Sequence, residues 1–105
     1  MDELGNLAVC RAKLGERNAA LASARQVLEA GPASADAHYM AAVVHALLDD
    51  APRSLELLER ALELGASVSE ATADDDLAVL RDLPRYRALI ERFETNHRKE
   101  DGNAT

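Results

Sequence analysis

Apolar residues recur at intervals of three and four along the first two thirds of the chain, the spacing that gathers them on one side of an α-helix. Leu4, Leu7, Ala8, Cys10 and Leu14 form a first stripe, and Ala20, Leu21, Ala24, Val27 and Leu28 a second. Met40, Ala41, Val44, Leu47 and Leu48 form a third, and Leu55, Leu58, Ala61, Leu62 and Leu64 a fourth. Gly15 and Gly31 fall just past the first two stripes and Gly65 just past the fourth, where a left-handed residue ends a helix. Ser34 with Asp36 behind it, and Asp50 just before Pro52, supply helix-start chemistry for the third and fourth stripes. The pattern predicts four helices joined by short turns.

These four helices are two copies of one unit. An offset of 34 residues pairs Asp2 with Asp36, Ala8 with Ala42, Val9 with Val43, Ala12 with Ala46 and Leu14 with Leu48. The same offset pairs Leu21 with Leu55, Leu28 with Leu62, Glu29 with Glu63 and Gly31 with Gly65. A period of this length points to a helix-turn-helix repeat, each copy of which buries its apolar face against the next in a solenoid.

At these positions the chain resembles the tetratricopeptide repeat family. The small position of the first helix is Ala8 and again Ala42, that of the second helix is Ala20 and then Ser54, and Pro32 closes the first repeat. The departures are Leu4 and His38 at the large position, Arg11 and His45 at the aromatic one, and Ala66 in place of the second Pro. The resemblance covers residues 1–66 and implies an all-α superhelix of helical hairpins with a C-terminal capping helix.

After residue 66 the repeat gives way to a different pattern. Ser67 with Glu70, and Thr72 with Asp75, have capping-box spacing, so two short helical segments are expected, with Asp74, Asp75 and Asp76 on the first turn of the second. Pro84 suits the first turn of a last helix with the stripe Tyr86, Leu89, Ile90 and Phe93. The run from Asp76 through Leu77, Leu80, Arg81, Asp82, Pro84, Arg85 and Tyr86 to Leu89 resembles the segment closing tetratricopeptide arrays in bacterial signalling proteins, including arrays attached to serine/threonine kinases and nucleotide cyclases. That likeness implies a capping role for residues 67–95, leaving residues 96–105 as a polar, frayed or disordered tail.

Composition fits a helical domain whose core rests on Ala and Leu. The 105 residues are 48% hydrophobic but only 3% aromatic. With 19 acidic and 12 basic side chains the chain repels phosphate backbones on average, which argues against nucleic acid. Arg81, Arg85, Arg87 and Arg92 are interleaved with carboxylates and read as a solvated face. No apolar run approaches the roughly 18 residues of a membrane span, and no export signal is evident, so a cytoplasmic location is expected.

The search for chemistry yields no catalytic, cofactor or metal constellation. Cys10 is the only cysteine and reads as a small packed hydrophobe of the first stripe. His38 and His45 are seven residues apart on one helical face, about 10 Å along the axis, too far to share a metal. They read as packing residues. The triplet Asp74 to Asp76 lacks the alternating ligands and Gly of a calcium loop and reads as helix-start chemistry.

The expectation is therefore a non-enzymatic module that binds a protein or peptide. In the family it resembles, the first helices of successive repeats line a concave groove, which carries over to Asn6, Val9 and Lys13 on one wall and Tyr39, Met40, Val43 and Leu47 on the other. Asn6 and Lys13 alone have the chemistry of the branch that clamps chaperone tails. The groove is otherwise apolar and suits an amphipathic helix or apolar peptide, with Tyr39 and Met40 as adaptable contacts. Because the sequence enters its first helix almost at once, one flank of Leu4 to Leu14 is expected to be uncovered, which allows a homodimer through that helix or a place at the end of a larger signalling protein.

Overall fold

A computed structural model describes residues 2–104, with side chains described for residues 7–94. Every described element is helical: α1 (Asp2–Lys13), α2 (Arg17–Ala30), α3 (Ala35–Leu47), α4 (Ala51–Glu63), α5 (Val68–Ala73), a 3-10 helix (Asp75–Leu80) and α6 (Pro84–Ala104). The four expected helices and both short segments are present. Helix α6 continues through residues 96–104, beyond the point where the sequence pattern predicts a frayed tail.

Helices α1 and α2 pack on each other across the short turn at residues 14–16, and α3 packs on α4 across residues 48–50. Both helices of the first pair also lean on α3, which packs on the 3-10 helix as well. Helix α6 closes the far side by packing on α4 and α5.

Side chains start the helices at the expected places. The Ser34 hydroxyl accepts the Ala37 N–H at 3.1 Å, the Asp50 carboxylate accepts the Arg53 N–H at 3.3 Å, and the Ser67 hydroxyl accepts the Glu70 N–H at 3.2 Å. Thr72 is not a cap. Its hydroxyl turns back to the Ser69 carbonyl, and Asp74 starts the 3-10 helix by accepting the Asp76 N–H at 2.9 Å. The Asp side chain wins because it sits two residues before the free N–H with extended backbone, the geometry of an Asx turn.

Two of the three helix-ending glycines behave as expected, Gly15 with φ +79° and Gly65 with φ +110°. Gly31 does not, since its φ is −138°. What requires glycine there is space, because a Cβ on residue 31 would lie 2.9 Å from the Cβ of Ser34. The third left-handed residue is Asp49, at φ 63°, in the place that Gly15 holds one repeat earlier.

The small positions are the innermost ones. Ala8, Ala42, Ala20 and Ser54 are each at most 1% exposed, which lets paired helices approach until side chains interdigitate. The buried Ser54 hydroxyl donates to the Ala42 carbonyl at 2.7 Å, so the one polar substitution among these four carries its own partner. Leu58, Leu77, Leu80, Val27 and Val44 fill the space around them. Tyr86, Leu89 and Ile90 of α6 are buried as their spacing predicts.

Helix α1 departs from its expected stripe. Ala8 and Ala12 face the core, whereas Leu7 is 42% exposed, Leu14 73% exposed, and Cys10 exposed between them. Cys10 is thus not the packed hydrophobe that its spacing suggests. The core-facing side of α1 is lined with alanine because α2 and α3 pack closely there, and the larger residues face outward.

Candidate functional site

The predicted groove residues lie on α1 and α3 at matching registers, because Val9 and Lys13 stand 34 residues from Val43 and Leu47. The structure separates them into three kinds. Val9, Met40 and Leu47 remain half-buried, and Lys13 is exposed. Val43 is only 3% exposed and belongs to the core, so it offers no contact surface. The side chain of Asn6 lies outside the described residues.

Tyr39 is also different from its expected role. Its hydroxyl donates to the Asp74 carboxylate at 2.7 Å, which ties the first turn of the 3-10 helix to α3. A hydrogen bond to a charged acceptor is worth roughly 1.5–3 kcal/mol, less where water competes. Tyr39 is therefore a fixed post in this structure. Burial, followed by that bond and by the nearby charges of Asp74 and Glu70, pushes the phenol well above its ordinary range and keeps it in the donating form.

The acidic triplet explains itself through this contact. The two oxygens of Asp74 divide their work, one holding Tyr39 and the other the Asp76 N–H, while Asp76 reaches the Lys13 ammonium at 3.3 Å. The Lys13 pair is largely solvated and contributes under about 1 kcal/mol. Beneath it, Leu77 and Leu80 are fully buried. Arg81, expected on a solvated face, instead turns inward to donate to the carbonyls of Thr72 and Asp74 at 3.1 and 3.2 Å. The 3-10 helix thus occupies one end of the α1–α3 face. Asp74, Asp76 and Arg81 are the residues that sequence reasoning missed here, and the periodicity carries no signal for a contact spanning 35 residues.

The histidines pack, as expected from their places in the repeat. His38 donates through Nδ1 to the Ser34 carbonyl at 2.9 Å. His45 Nδ1 lies 3.4 Å from an Asp50 oxygen but without hydrogen-bond alignment. Burial pushes the His45 imidazole below its ordinary range, and the Asp50 charge opposes the shift without reversing it. The buried hydroxyl of Tyr86 also makes no hydrogen bond among the described residues.

Among the described residues no three His, Cys, Asp or Glu side chains are grouped to hold a metal ion, and no helix is long and apolar enough to cross a membrane. A shallow cleft of about 190 Å³ lies between α4 and α6. It is smaller than the roughly 300–1,000 Å³ of small-molecule sites. Arg92 on its rim is already engaged by Glu59 at 2.9 Å and Glu63 at 3.5 Å.

Fold and site together define an all-helical protein: two helical pairs, a short capping segment and a closing helix. Comparisons with protein-family models, with curated proteins and with solved structures gave no significant match.

Proposed function

We propose that the protein is a non-enzymatic, tetratricopeptide-type interaction module that holds a short apolar peptide or amphipathic helix along the α1–α3 face. The observation that carries this reading is the set Val9, Met40 and Leu47, apolar side chains left half-buried on two adjacent helices. Such a set gives an extended or helical ligand apolar contacts, and the thioether of Met40 adapts to ligands of different shape. Exposed Asp36 at the start of α3 supplies a rim charge that orients the ligand. The Tyr39–Asp74 contact sets where the face ends, so the ligand occupies the side away from the 3-10 helix.

Support for the superhelical reading comes from the 34-residue register and from the burial of all four small positions. The test is a fluorescence-anisotropy screen of apolar and amphipathic-helix peptides, followed by Val9→Glu with Met40→Glu. The double variant should weaken any binder at least tenfold while the far-ultraviolet circular dichroism stays unchanged. Undiminished binding by the folded double variant would overturn this site.

A second reading, a structural or oligomerising segment of a larger signalling protein such as a kinase- or cyclase-linked array, is favoured by a different observation, the exposed apolar face of α1.

A further inference from the structure

Helix α3, helix α5, Asp74 and the 3-10 helix together carry five carboxylates, those of Asp36, Glu70, Asp74, Asp75 and Asp76, and neither Lys nor Arg. Asp36 stands three and four residues before Tyr39 and Met40, so the three share one side of α3 at its start. The charges of Glu70 and Asp74 bear on the same place, since both reach the Tyr39 phenol. The start of α3 is therefore the acidic end of the α1–α3 face. Little of that charge is cancelled from within. Among the described residues, the cations paired with this group are Lys13, 3.3 Å from Asp76, and Arg81, 3.8 Å from Asp75. Asp36 and Glu70 enter no ion pair there. The Asp74 oxygens accept from the Tyr39 O–H and the Asp76 N–H, neutral donors that fill lone pairs without removing charge. Asp36, Glu70 and Asp74 thus leave a surplus of three negative charges beside Met40.

We infer that the segment held on the α1–α3 face carries Lys or Arg at the end that lies over the start of α3, which makes the partner a basic-ended apolar or amphipathic peptide. This rests on the groove reading above and adds the charge of the ligand. Charge complementarity selects that occupant. The apolar contacts at Val9, Met40 and Leu47 are equally available to any apolar peptide, so discrimination falls to the acidic end. An acidic-ended peptide would bring like charges beside Asp36, Glu70 and Asp74, and Asp74 is only half-exposed, where salt screens less than in open water. A Lys or Arg side chain can lay its aliphatic stem along half-buried Met40 and still reach the carboxylates with its charged tip. Neither available cation of the chain competes for the place, because Lys13 and Arg81 are held by Asp76 and by the carbonyls of Thr72 and Asp74.

The test is fluorescence anisotropy with three labelled peptides that share one amphipathic helix and differ only in the pair of residues at each end, Lys-Lys, Gln-Gln or Glu-Glu. The wild-type chain should bind the lysine-ended peptide at least about fivefold tighter than the glutamate-ended one, with the gap narrowing from about 0.02 to 0.3 M NaCl. Asp36→Lys offsets two of the three surplus charges and should erase most of the preference. Glu70→Gln removes one and should reduce it by a smaller factor. Both positions are exposed, so circular dichroism should report an intact fold, and Glu70→Gln serves alone if Asp36→Lys does not fold. Equal binding of the lysine- and glutamate-ended peptides, or a preference that the folded variants keep in full, would overturn the inference. The groove reading survives that result if the glutamine-ended peptide loses its affinity in Val9→Glu with Met40→Glu. No binding by any of the three peptides would overturn both.

Discussion

The two helical pairs share a 34-residue register yet are treated differently by the fold. Inner positions keep their burial from one repeat to the next: Ala8 and Ala42, Ala12 and Ala46, Ala20 and Ser54, and Ala24 and Leu58 are all at most 5% exposed. Outer positions do not. Cys10 is exposed where Val44 is fully buried, and Leu7 is 42% exposed where Ala41 is 1% exposed. The comparison teaches that the contact between helices of one pair is encoded locally, whereas burial of the outward face depends on a neighbouring pair.

The widest gap between the pairs should appear at their outer faces. Val44→Ala removes apolar volume from a closed core and should cost about 2–3 kcal/mol, combining lost transfer free energy with the cavity left behind. Cys10→Ala at the equivalent exposed position should change stability by less than about 0.5 kcal/mol. Urea denaturation of the two variants checks the difference. Equal losses would mean that the two faces are alike in solution.

The turns offer a smaller contrast. Gly15 and Asp49 both adopt left-handed backbone at φ +79° and 63°, but only glycine does so without a steric penalty. Gly15→Ala should therefore cost about 1–2 kcal/mol. Asp49→Gly should lie within about 1 kcal/mol of the parent, since relief of strain is offset by a more flexible unfolded chain. Thermal unfolding of both variants is sufficient to see a clear loss at Gly15 and a near-neutral effect at Asp49.

The finest distinction is in pH dependence, because His45 occupies the position that Arg11 holds in the first repeat. With the folded-state imidazole held below its ordinary value of 6.5, the unfolded chain binds the proton first. The contribution of His45 is then fully present above pH 6.5 and is lost as pH falls from there through the depressed folded value. His45→Gln should flatten the decline in stability just below pH 6.5, and Arg11→Gln should leave that slope intact. Chemical denaturation between pH 5 and 7.5 reads it directly, and an unchanged slope in His45→Gln would place the titrating group elsewhere.

Tyr39 and Tyr86 show where legibility from the sequence stops. On the sequence alone Tyr39 lines the groove and Tyr86 packs in its helix's stripe, and burial raises both phenols. Only Tyr39 finds a carboxylate, and that carboxylate arrives from a segment whose sequence announces helix-start chemistry and nothing more. The groove residues divide for the same reason. Register alone places Val9, Met40, Val43 and Leu47 on comparable faces, but the approach of neighbouring helices buries Val43 and leaves the others partly open.

Taken by itself, the sequence determined the helices up to residue 95, their caps at Ser34, Asp50 and Ser67, the 34-residue register and the small positions at which paired helices meet. These follow from interactions within a few residues or from a periodicity that survives in one dimension. Tertiary structure alone decided that Asp74 anchors Tyr39, that Gly31 is needed for space and not for a left-handed turn, and that Cys10 faces outward. A stripe specifies which side of a helix is apolar, but what covers that side is set by the packing of segments distant in the chain.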